Sequence, residues 1–552
     1  MILFWHRTDL RVVDNHALSR AVTLACNRDT LVQPVFVFDP HYYGDASLAC
    51  DGRIEFLHEC LAGLCEQYRE RGSELALLHG DPIDRLSTLR ATIESGSDGE
   101  AETSDLWYTR HPTARYGRRR EQRLHEQFTN GDTTTAPSET DSTIRAVPEG
   151  AIVFDAHERG IDSRDGWDEQ CEAYLTGEVR SPPDSAPLVD RTDTVASDVT
   201  IAEIEARYDI DAAKRDIPRG GHQAARRRLE RFAQPATMAQ YPGGISPPAE
   251  AERRTSRLSP YLRFGVLSIR EVYQTAVERM GAERARDLFE DRLFWNRHFR
   301  QKLADNPQFT EEAVNPVLRG LYAGEDARDQ ELIAAWKKGR TGFPMVDASM
   351  RALTETGWLN FRMRAMVASF FGYILKQWWK IGADFMYCHL IDADPAINYA
   401  QWQMQCGLVG CHPNRIYNPR KQVRENDPEG EFIHEYVPEL RDLPAEFLDR
   451  PERAPVHVQR ECGVTIGDGP DADYPYPVVG FDREATLARE QFSELAEEAR
   501  EALSDPEVRR QASLSRASRD RLSDAETGDS GTAPNRERDA EADRQQSQLG
   551  SF

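Results

Sequence analysis

Lysine is almost missing from this sequence. Only seven of the 69 basic residues are lysines, and the 93 acidic residues give the 552-residue chain a net charge of −24. Few lysines and a large acid excess are typical of proteins that stay soluble in a salt-rich cytoplasm, although plain acidity is the simpler interpretation. The charge also disfavours general nucleic-acid binding, because affinity for DNA comes largely from neutralising phosphates. A DNA partner would therefore require a local basic patch.

Signals for metal binding and for membrane insertion are missing too. The nine cysteines form no Cys-x-x-Cys pair, and the spacing of Cys406, Cys411 and His412 fits neither a zinc nor an iron–sulfur site, so we predict no metal. Scattered cysteines are typical of reduced thiols inside the cell. Residues 1–7 do not resemble a signal peptide, and the longest apolar run, 366–375, is too short to span a bilayer. We therefore expect a soluble, cytoplasmic protein with no membrane partner.

The first part of the chain alternates strand and helix signals. Short apolar runs predict strands at residues 2–6, 31–38, 75–78, 106–109 and 151–155, and amphipathic segments separate them. This alternation predicts an α/β domain with a doubly wound, mostly parallel sheet at residues 1–165. No phosphate-cradling glycine loop follows a strand, so we do not expect a dinucleotide site of the Rossmann type.

The organisation then changes. We predict an interdomain linker at residues 166–216, because Asp, Pro, Ser and Thr dominate residues 181–216. Strand signals nearly vanish afterwards, which predicts a large all-helical domain at residues 217–500. Residues 501–552 carry many charged residues and serines with almost no aromatics, which predicts a disordered acidic and polar tail.

Three long strings stand out in the helical part: Thr255–Leu262, Thr341–Met350 and Asp392–Asn398, the last leading to Trp402. In helical sequence Asn398 and Trp402 share a face, since residues i and i+4 are neighbours. Together the strings resemble the flavin-binding half of the photolyase/cryptochrome family, and the resemblance runs from residue 2 to about residue 490. A helical core with a polar rim is the simpler interpretation of each tryptophan alone.

The N-terminal part resembles the antenna domain of the same family through Arg7-Thr-Asp-Leu-Arg11. Alternatively, these residues only seat the domain, with Arg7 and Arg11 in ion pairs. Relatives that carry a folate antenna offer an amide and an acid where this chain has Arg115 and Tyr116. A deazaflavin is therefore favoured over folate as an antenna chromophore, and the absence of any antenna stays open.

The resemblance implies FAD as the cofactor, in the bent form that this family uses. Hydroxyls and a cation at residues 255–259 suit a diphosphate, Arg364 and Asp392 would form an ion pair beside the ring, and Asn398 would face flavin N5. The implied cofactor-binding residues are Tyr241, Thr255, Ser256, Arg257, Leu258, Ser259, Arg297, Trp358, Arg364, Asp392, Ala393, Asp394 and Asn398.

The resemblance also implies a light-driven activity. Trp402, Trp379 and Trp336 fall on the family's electron-relay triad, which would lead from the ring to the surface, and with Asn398 they form the predicted catalytic set. An amide at position 398 favours a photolyase that repairs cyclobutane pyrimidine dimers with reduced, anionic FADH⁻. The alternative is a cryptochrome-type blue-light photoreceptor without repair, which would signal through a protein partner or the tail.

For damaged DNA as the partner, the implied substrate-binding residues are Trp295, Arg362, Arg415 and Lys421. Arg415–Arg424 is the best candidate for a patch that contacts the DNA backbone, and ion pairing with Asp427, Glu429 and Glu431 is the alternative. Several positions depart from the family's lesion-binding wall, and the pair of histidines used by (6-4) photolyases is missing from residues 357–364. The departures are Arg292, Phe361, Ala365, Met404 and the string Trp295-Asn-Arg-His-Phe299, which looks like the family's Trp-Arg-Glu-Phe with one inserted residue.

Overall fold

The computed structural model describes residues 1–512 apart from residues 45–46, 97–103, 129–143, 155–163, 185–186, 194, 278, 280–282 and 411–414. The N-terminal part contains five parallel strands in the spatial order β3-β2-β1-β4-β5. The strands are β1 (Ile2–His6), β2 (Val32–Phe38), β3 (Ala76–His79), β4 (Asp105–Arg110) and β5 (Ile144–Pro148). Their helices are α1 (His16–Asn27), α2 (Asp51–Arg69), α3 (Pro82–Gly96) and α4 (Arg115–Phe128).

Each strand is buried on both faces, as in doubly wound sheets. Phe4 packs with α1 and α2 on one face, whereas Leu3 and Trp5 pack with α3 and α4 on the other. Near-continuous apolar strands follow from this arrangement, because alternating side chains reach two different cores. The predicted doubly wound α/β fold is confirmed.

The fifth strand differs from the predicted one at residues 151–155. The strand that pairs with β4 is Ile144–Pro148, and Gly150 ends it with a φ of +59°. Val153 instead forms two hydrogen bonds to the side chain of Gln301, of 2.9 Å and 2.7 Å. The apolar run after Gly150 therefore docks onto the helical domain rather than extending the sheet.

The rest of the described chain is almost entirely helical. Between the two domains lie α5 (Arg164–Leu175) and α6 (Ile201–Tyr208). The helical domain begins with α7 (His222–Phe232), α8 (Pro235–Met238), α9 (Tyr241–Gly244), α10 (Pro248–Arg254), α11 (Ser259–Arg263), α12 (Ile269–Val277) and α13 (Glu283–Asp305). It continues with α14 (Gln330–Lys337), α15 (Pro344–Thr356), α16 (Phe361–Ser369), α17 (Trp379–His389), α18 (Pro395–Gln405), α19 (Pro419–Asn426), α20 (Glu431–Tyr436), α21 (Val456–Glu461), α22 (Phe481–Ala502) and α23 (Pro506–Ala512).

Three of these helices fall in the predicted linker and the predicted tail. The predicted linker contains α5 and α6, and its Leu188 bridges to Val32 at the start of β2. Helix α23 falls within the predicted disordered tail, and Ala512 at its end is buried. The prediction of disorder is therefore wrong for residues 506–512, while residues 513–552 lie outside the described part of the chain.

The two domains share an apolar core. Phe56 of α2 contacts the rings of Tyr261 and Phe264, at centroid distances of 5.3 Å and 5.8 Å. The Arg7–Arg11 turn lies beside this contact, and Arg11 donates a 2.9 Å hydrogen bond to the carbonyl of Gly265. A Cβ at Gly265 would lie 2.3 Å from the carbonyl oxygen of residue 8, so only glycine permits this approach. Arg7 pairs with Glu121 at 3.0 Å, as the alternative interpretation expects, whereas Arg11 donates to the carbonyls of Gly265 and Asp14 and not to a carboxylate.

No helix in the described ranges is both long and apolar enough to cross a membrane. The same residues contain no cluster of three or more His, Cys, Asp or Glu side chains that could hold a metal ion. Cys406 is buried in the helical core, and residues 411 and 412 lie outside the described ranges.

Asp347 is the polar centre of the helical core. Its carboxylate is fully buried and accepts hydrogen bonds from the backbone of Thr341 and Gly342, from the Thr341 hydroxyl and from the Tyr474 hydroxyl.

We expect Asp347→Ala to lower the free energy of unfolding by about 3 kcal/mol or more, because several buried donors lose their acceptor. Denaturant unfolding measures the change. Asp442→Ala, which removes an exposed carboxylate elsewhere in the helical domain, should change the free energy of unfolding by less than about 0.5 kcal/mol, and equal losses would contradict this role.

Candidate functional site

Two adjoining pockets lie where two of the three sequence strings meet. The first spans about 740 Å³ and the second about 520 Å³ of space not filled by atoms, which includes solvent at their mouths. Ser259 and Phe361 line both pockets, so the two are continuous. The strings at residues 255–262 and 392–398 contribute lining residues to these pockets. The string Thr341–Met350 instead surrounds Asp347 in the helical core described above.

The first pocket is centred on a buried carboxylate. Asp392 accepts hydrogen bonds from Arg364, at 3.0 Å and 3.2 Å, and from the hydroxyl of Ser259, at 2.6 Å. The expected Arg364–Asp392 ion pair is therefore present. The pocket is lined by Ser259, Arg263, Asn296, Arg300, Phe361, Arg364, Ala365, Ala368, Met386, Leu390, Asp392, Asp394, Ile397, Asn398, Gln401, Trp402 and Gln405.

Asn398 and Trp402 both face this pocket, as their spacing along α18 predicts. The Asn398 Nδ2 donates a 3.0 Å hydrogen bond to the carbonyl of Ala383. Its Oδ1 is then the amide atom that is left to accept a hydrogen bond from a ligand. The site therefore offers an acceptor, not an acid, at this position.

Asp394 caps the N-terminus of α18 and holds a buried arginine. Its carboxylate accepts from the backbone of Ala396 at 2.9 Å and binds Arg300 at 2.9 Å and 3.0 Å. Burial raises the pKa of this carboxyl, but Arg300 and Arg263 outweigh burial and lower it below its usual value. Ala393 contributes its carbonyl, which accepts a 2.6 Å hydrogen bond from Arg263.

The structure places Arg297, predicted to approach the flavin, outside the lining of both pockets. Its guanidinium binds Asn296 and lies 3.6 Å from Glu149 of the N-terminal domain. Arg300 and Asn296 occupy the pocket instead. The reason is helical geometry, because Asn296 and Arg300 are one turn apart on the same face while Arg297 points about 100° away from Asn296.

The second pocket suits an anion. The Arg257 guanidinium lies over the Trp358 ring at 4.0 Å, and Arg257 itself has a φ of +52°, so the 255–258 loop is tightly bent. Arg292, expected on a lesion-binding wall, also lines this pocket. The lining residues are Tyr241, Thr255, Ser256, Arg257, Leu258, Ser259, Leu262, Phe289, Arg292, Leu293, Trp358, Asn360 and Phe361.

The three predicted relay tryptophans are all buried. Trp336 is 0 % exposed, and its ring meets the Trp402 ring edge-on at 5.9 Å. Trp379, which is 3 % exposed, packs against Tyr399 at 6.3 Å. The expectation that these indoles run from the pocket to the surface is wrong for Trp336, because Phe371 and Phe385 enclose it.

The predicted lesion contacts Trp295 and Arg362 are half-buried side chains outside the lining of both pockets. Trp295 is half-buried on α13 and packs against His298 and Phe299, and Arg362 is half-buried on α16. Met404 is half-buried beside the helical core.

Most cations of the predicted DNA patch are ion-paired. Lys421 pairs with Glu425, Arg420 with Glu452 and Arg424 with Asp449. These partners differ from the expected Asp427, Glu429 and Glu431, and Asp427 instead accepts from the backbone of Phe432 and Ile433. The Arg415 guanidinium lies 5.1 Å from the Tyr417 ring.

In the N-terminal domain, Tyr116 lies at the carboxyl edge of the sheet. Its ring stacks on His41 at 3.4 Å, and its hydroxyl donates a 2.7 Å hydrogen bond to Asp39. Arg120 binds the same carboxylate at 3.1 Å, whereas Arg115 is exposed. Tyr116 therefore offers an aromatic face rather than an acid at this edge.

Family profiles match both domains. The profile for the FAD binding domain of DNA photolyase matches residues 289–494, and the DNA photolyase profile matches residues 2–147. The deoxyribodipyrimidine photo-lyase of Streptomyces griseus is 30 % identical, and the match covers 86 % of this chain and 94 % of the relative. The chain belongs to the photolyase/cryptochrome family.

Other members are similar to this chain over most of their length. Cryptochrome DASH of Natronomonas pharaonis is 30 % identical, with 87 % of this chain and 98 % of the relative covered. The crystal structure of a class III photolyase from Agrobacterium tumefaciens superposes with a TM-score of 0.72 at 25 % identity, and 89 % of this chain and 98 % of that chain are covered. The relatives thus include both a photolyase and a cryptochrome.

The residues of the two pockets fit FAD. Buried polar atoms that lack a hydrogen-bond partner in the described structure mark both pockets, namely Trp402 Nε1 in the first and Asn360 Oδ1 in the second. Arginines and hydroxyls in the second pocket suit a diphosphate, whereas the apolar walls with the Arg364–Asp392 pair in the first suit a ring that is polar on one edge.

Sequence reasoning missed several lining residues, above all Asn296, Arg300 and Arg292. These three recur at four-residue spacing along α13, so they share one face that runs past both pockets. That spacing is the signal that could have found them.

We expect Asp392→Asn to weaken FAD binding by about 10- to 100-fold, because hydrogen bonds to charged groups contribute about 1.5–3 kcal/mol. The variant leaves Arg364 without its carboxylate partner. FAD affinity is measured by flavin fluorescence on titrating the apoprotein. Asp449→Asn breaks a matched Arg–Asp pair at the surface and should leave the affinity unchanged, and an equal loss would contradict the assignment.

Glu149 and Asp394 should make stability depend on pH. Both folded-state pKa values lie below their ordinary values. Their stabilisation is therefore present above the unfolded values of about 4 and is lost as the pH falls through the lower folded values. We expect the free energy of unfolding to decline from about pH 5 to about pH 3. Denaturant unfolding should show a shallower decline in Glu149→Gln, and equal slopes would contradict this.

Proposed function

We propose that this protein is an FAD-dependent, blue-light-driven DNA photolyase that repairs cyclobutane pyrimidine dimers. The observation that carries the proposal is the first pocket, where Asn398, Trp402 and the Arg364–Asp392 pair surround one cavity. Tyr241, Trp358 and the 255–259 loop in the adjoining pocket support the same cofactor.

Reduced FAD bound there would supply, on absorbing blue light, the one electron that opens the cyclobutane ring and would accept it back afterwards. The protein's own residues would hold the cofactor and orient it. Arg364 is held by Asp392, so its charge stays at one edge of the pocket. Asn398 Oδ1 can accept a hydrogen bond without donating a proton, which favours retention of an anionic reduced ring. Trp402 presents an indole from which an oxidised cofactor can draw an electron.

The second pocket is proposed to hold the diphosphate. Arg257 and Arg292 supply positive charge, and Thr255, Ser256 and Ser259 supply hydroxyls. Trp295 and Arg362 are proposed to contact the lesion, and Arg415 and Lys421 the DNA backbone. A deazaflavin is the proposed antenna chromophore, if one is bound.

A blue-light photoreceptor is the second candidate. Phe361 and Ala365 line the first pocket, where the resemblance leads one to expect an amide that faces the flavin and a methionine. A pocket without such contacts offsets less of the free energy that is needed to flip a dimer out of the duplex. A receptor of this kind would retain the buried tryptophans and signal through a protein partner.

A repair assay separates the two candidates. The purified protein with reduced FAD, in multimolar salt, receives an oligonucleotide that carries one cyclobutane dimer. We expect the dimer to disappear under blue light and to persist in the dark. Trp295→Ala should lower the repair at limiting protein by about 5- to 150-fold, because losing a stacking indole removes about 1–3 kcal/mol of base binding.

The control is Trp378→Ala, which removes another half-buried indole at the edge of the same core. It should repair dimers like the unaltered protein. FAD absorbance confirms that both variants carry the cofactor. Bound FAD that is photoreduced without any loss of the dimer would overturn the photolyase proposal and support the photoreceptor.

A further inference from the structure

The N-terminal domain reaches the first pocket through one buried carboxylate. Glu149 follows β5 and is almost completely buried, and its carboxylate accepts a 2.7 Å hydrogen bond from Arg300. Arg300 lines the first pocket, while Glu149 does not. Arg300, which lines the pocket, is therefore held in part by a residue of the N-terminal domain that lies 151 positions away in sequence.

Arg300 is held from two sides. Asp394 binds its Nε and Nη2, and Glu149 binds its Nη1. A planar guanidinium clamped by two carboxylates has one allowed orientation. Losing either carboxylate would free the side chain to turn and would leave a buried positive charge partly unbalanced.

Glu149 is itself held by its neighbours. His111 Nδ1 lies 3.0 Å from its carboxylate, and Arg297 lies 3.6 Å away. Burial raises the pKa of Glu149, but Arg300, Arg297 and His111 together lower it well below its usual value. Burial lowers the pKa of His111, so its ring is neutral at pH 7. The two arginines are thus balanced by Glu149 and Asp394.

We propose that Glu149 is a positioning residue that fixes Arg300 and sets the charge of the flavin pocket from the N-terminal domain. The proposal rests on FAD binding in the first pocket. It assigns the N-terminal domain a role in tuning the cofactor that is independent of any antenna chromophore.

Glu149→Gln tests the proposal, since it keeps the shape of the side chain and removes one negative charge. The holoprotein is titrated spectroelectrochemically to obtain the midpoint potential of its FAD. We expect the potential to shift upward, because one negative charge fewer near the pocket favours uptake of electrons. Charges buried in this way are little screened by salt.

Asp14→Asn is the matched control. Asp14 is also a buried carboxylate of the N-terminal domain, and it pairs across the interface with Arg270 at 2.9 Å. Neither Glu149 nor Asp14 lines a pocket. If Glu149 had a purely structural role, both substitutions would lower the stability and neither would shift the midpoint potential of FAD. Equal potentials in Glu149→Gln and the unaltered protein, with FAD bound in both, would overturn the proposal.

A second measurement needs no variant. If Glu149 and the flavin pocket are coupled through Arg300, removing FAD should loosen the segment that carries Glu149, since coupling is reciprocal. Hydrogen exchange of the unaltered protein should increase at residues 144–153 on removal of FAD, but not around Asp14. No change at residues 144–153 would overturn the proposal, whereas a failure to bind FAD at all would overturn the proposed function instead.

Discussion

The structure depends on pairing the positive charges that α13 carries into the interior. Arg297 and Arg300 are buried between the sheet domain and the helical domain, where an unpaired guanidinium would cost several kcal/mol. Both lie against Glu149, and Arg300 also reaches Asp394 at the start of α18. Helix α13 therefore contacts the N-terminal domain through Glu149 and also supplies Arg300 to the lining of the first pocket.

The same balance of charge governs the outer surface. The chain carries a net charge of −24, so any cation that faces DNA competes with nearby carboxylates for partners. Arg420, Lys421 and Arg424 each have an acidic partner within the protein. Binding to DNA would exchange these surface pairs for phosphate contacts, and surface pairs contribute little stability each. High salt weakens both kinds of contact. Affinity must then come mainly from contacts with the lesion itself.

Repair and signalling share most of the site. The Arg364–Asp392 pair, Asn398 and the buried indoles suit either activity, because both need an FAD that can be reduced by light. What separates them is the wall beside the cofactor, where Phe361 joins the two pockets. Stacking on Trp295 would still be available to a flipped base, but fewer polar contacts would hold its edge. The difference between the two activities is thus a matter of a few side chains on one unchanged scaffold.

The amino-acid sequence by itself determined the order of most elements, and its resemblance to the family identified fewer than half of the residues that line the two pockets. Short, nearly continuous apolar runs located four of the five strands, and four-residue spacing put Asn398 and Trp402 on one face. Strings such as residues 255–259 could be assigned to the cofactor because they resemble the family's flavin-binding half, and a contiguous string keeps its residues close together in space.

Only the tertiary structure decided the contacts that depend on orientation and on distant partners. Arg300 rather than Arg297 faces the pocket because successive helical residues diverge by about 100°. Trp336 is enclosed by rings from two other segments, and Val153 leaves the sheet to bind Gln301. Glu149 meets Arg300 across 151 positions of sequence. Such pairings carry no local signal, since they arise only when two separately folded surfaces pack together.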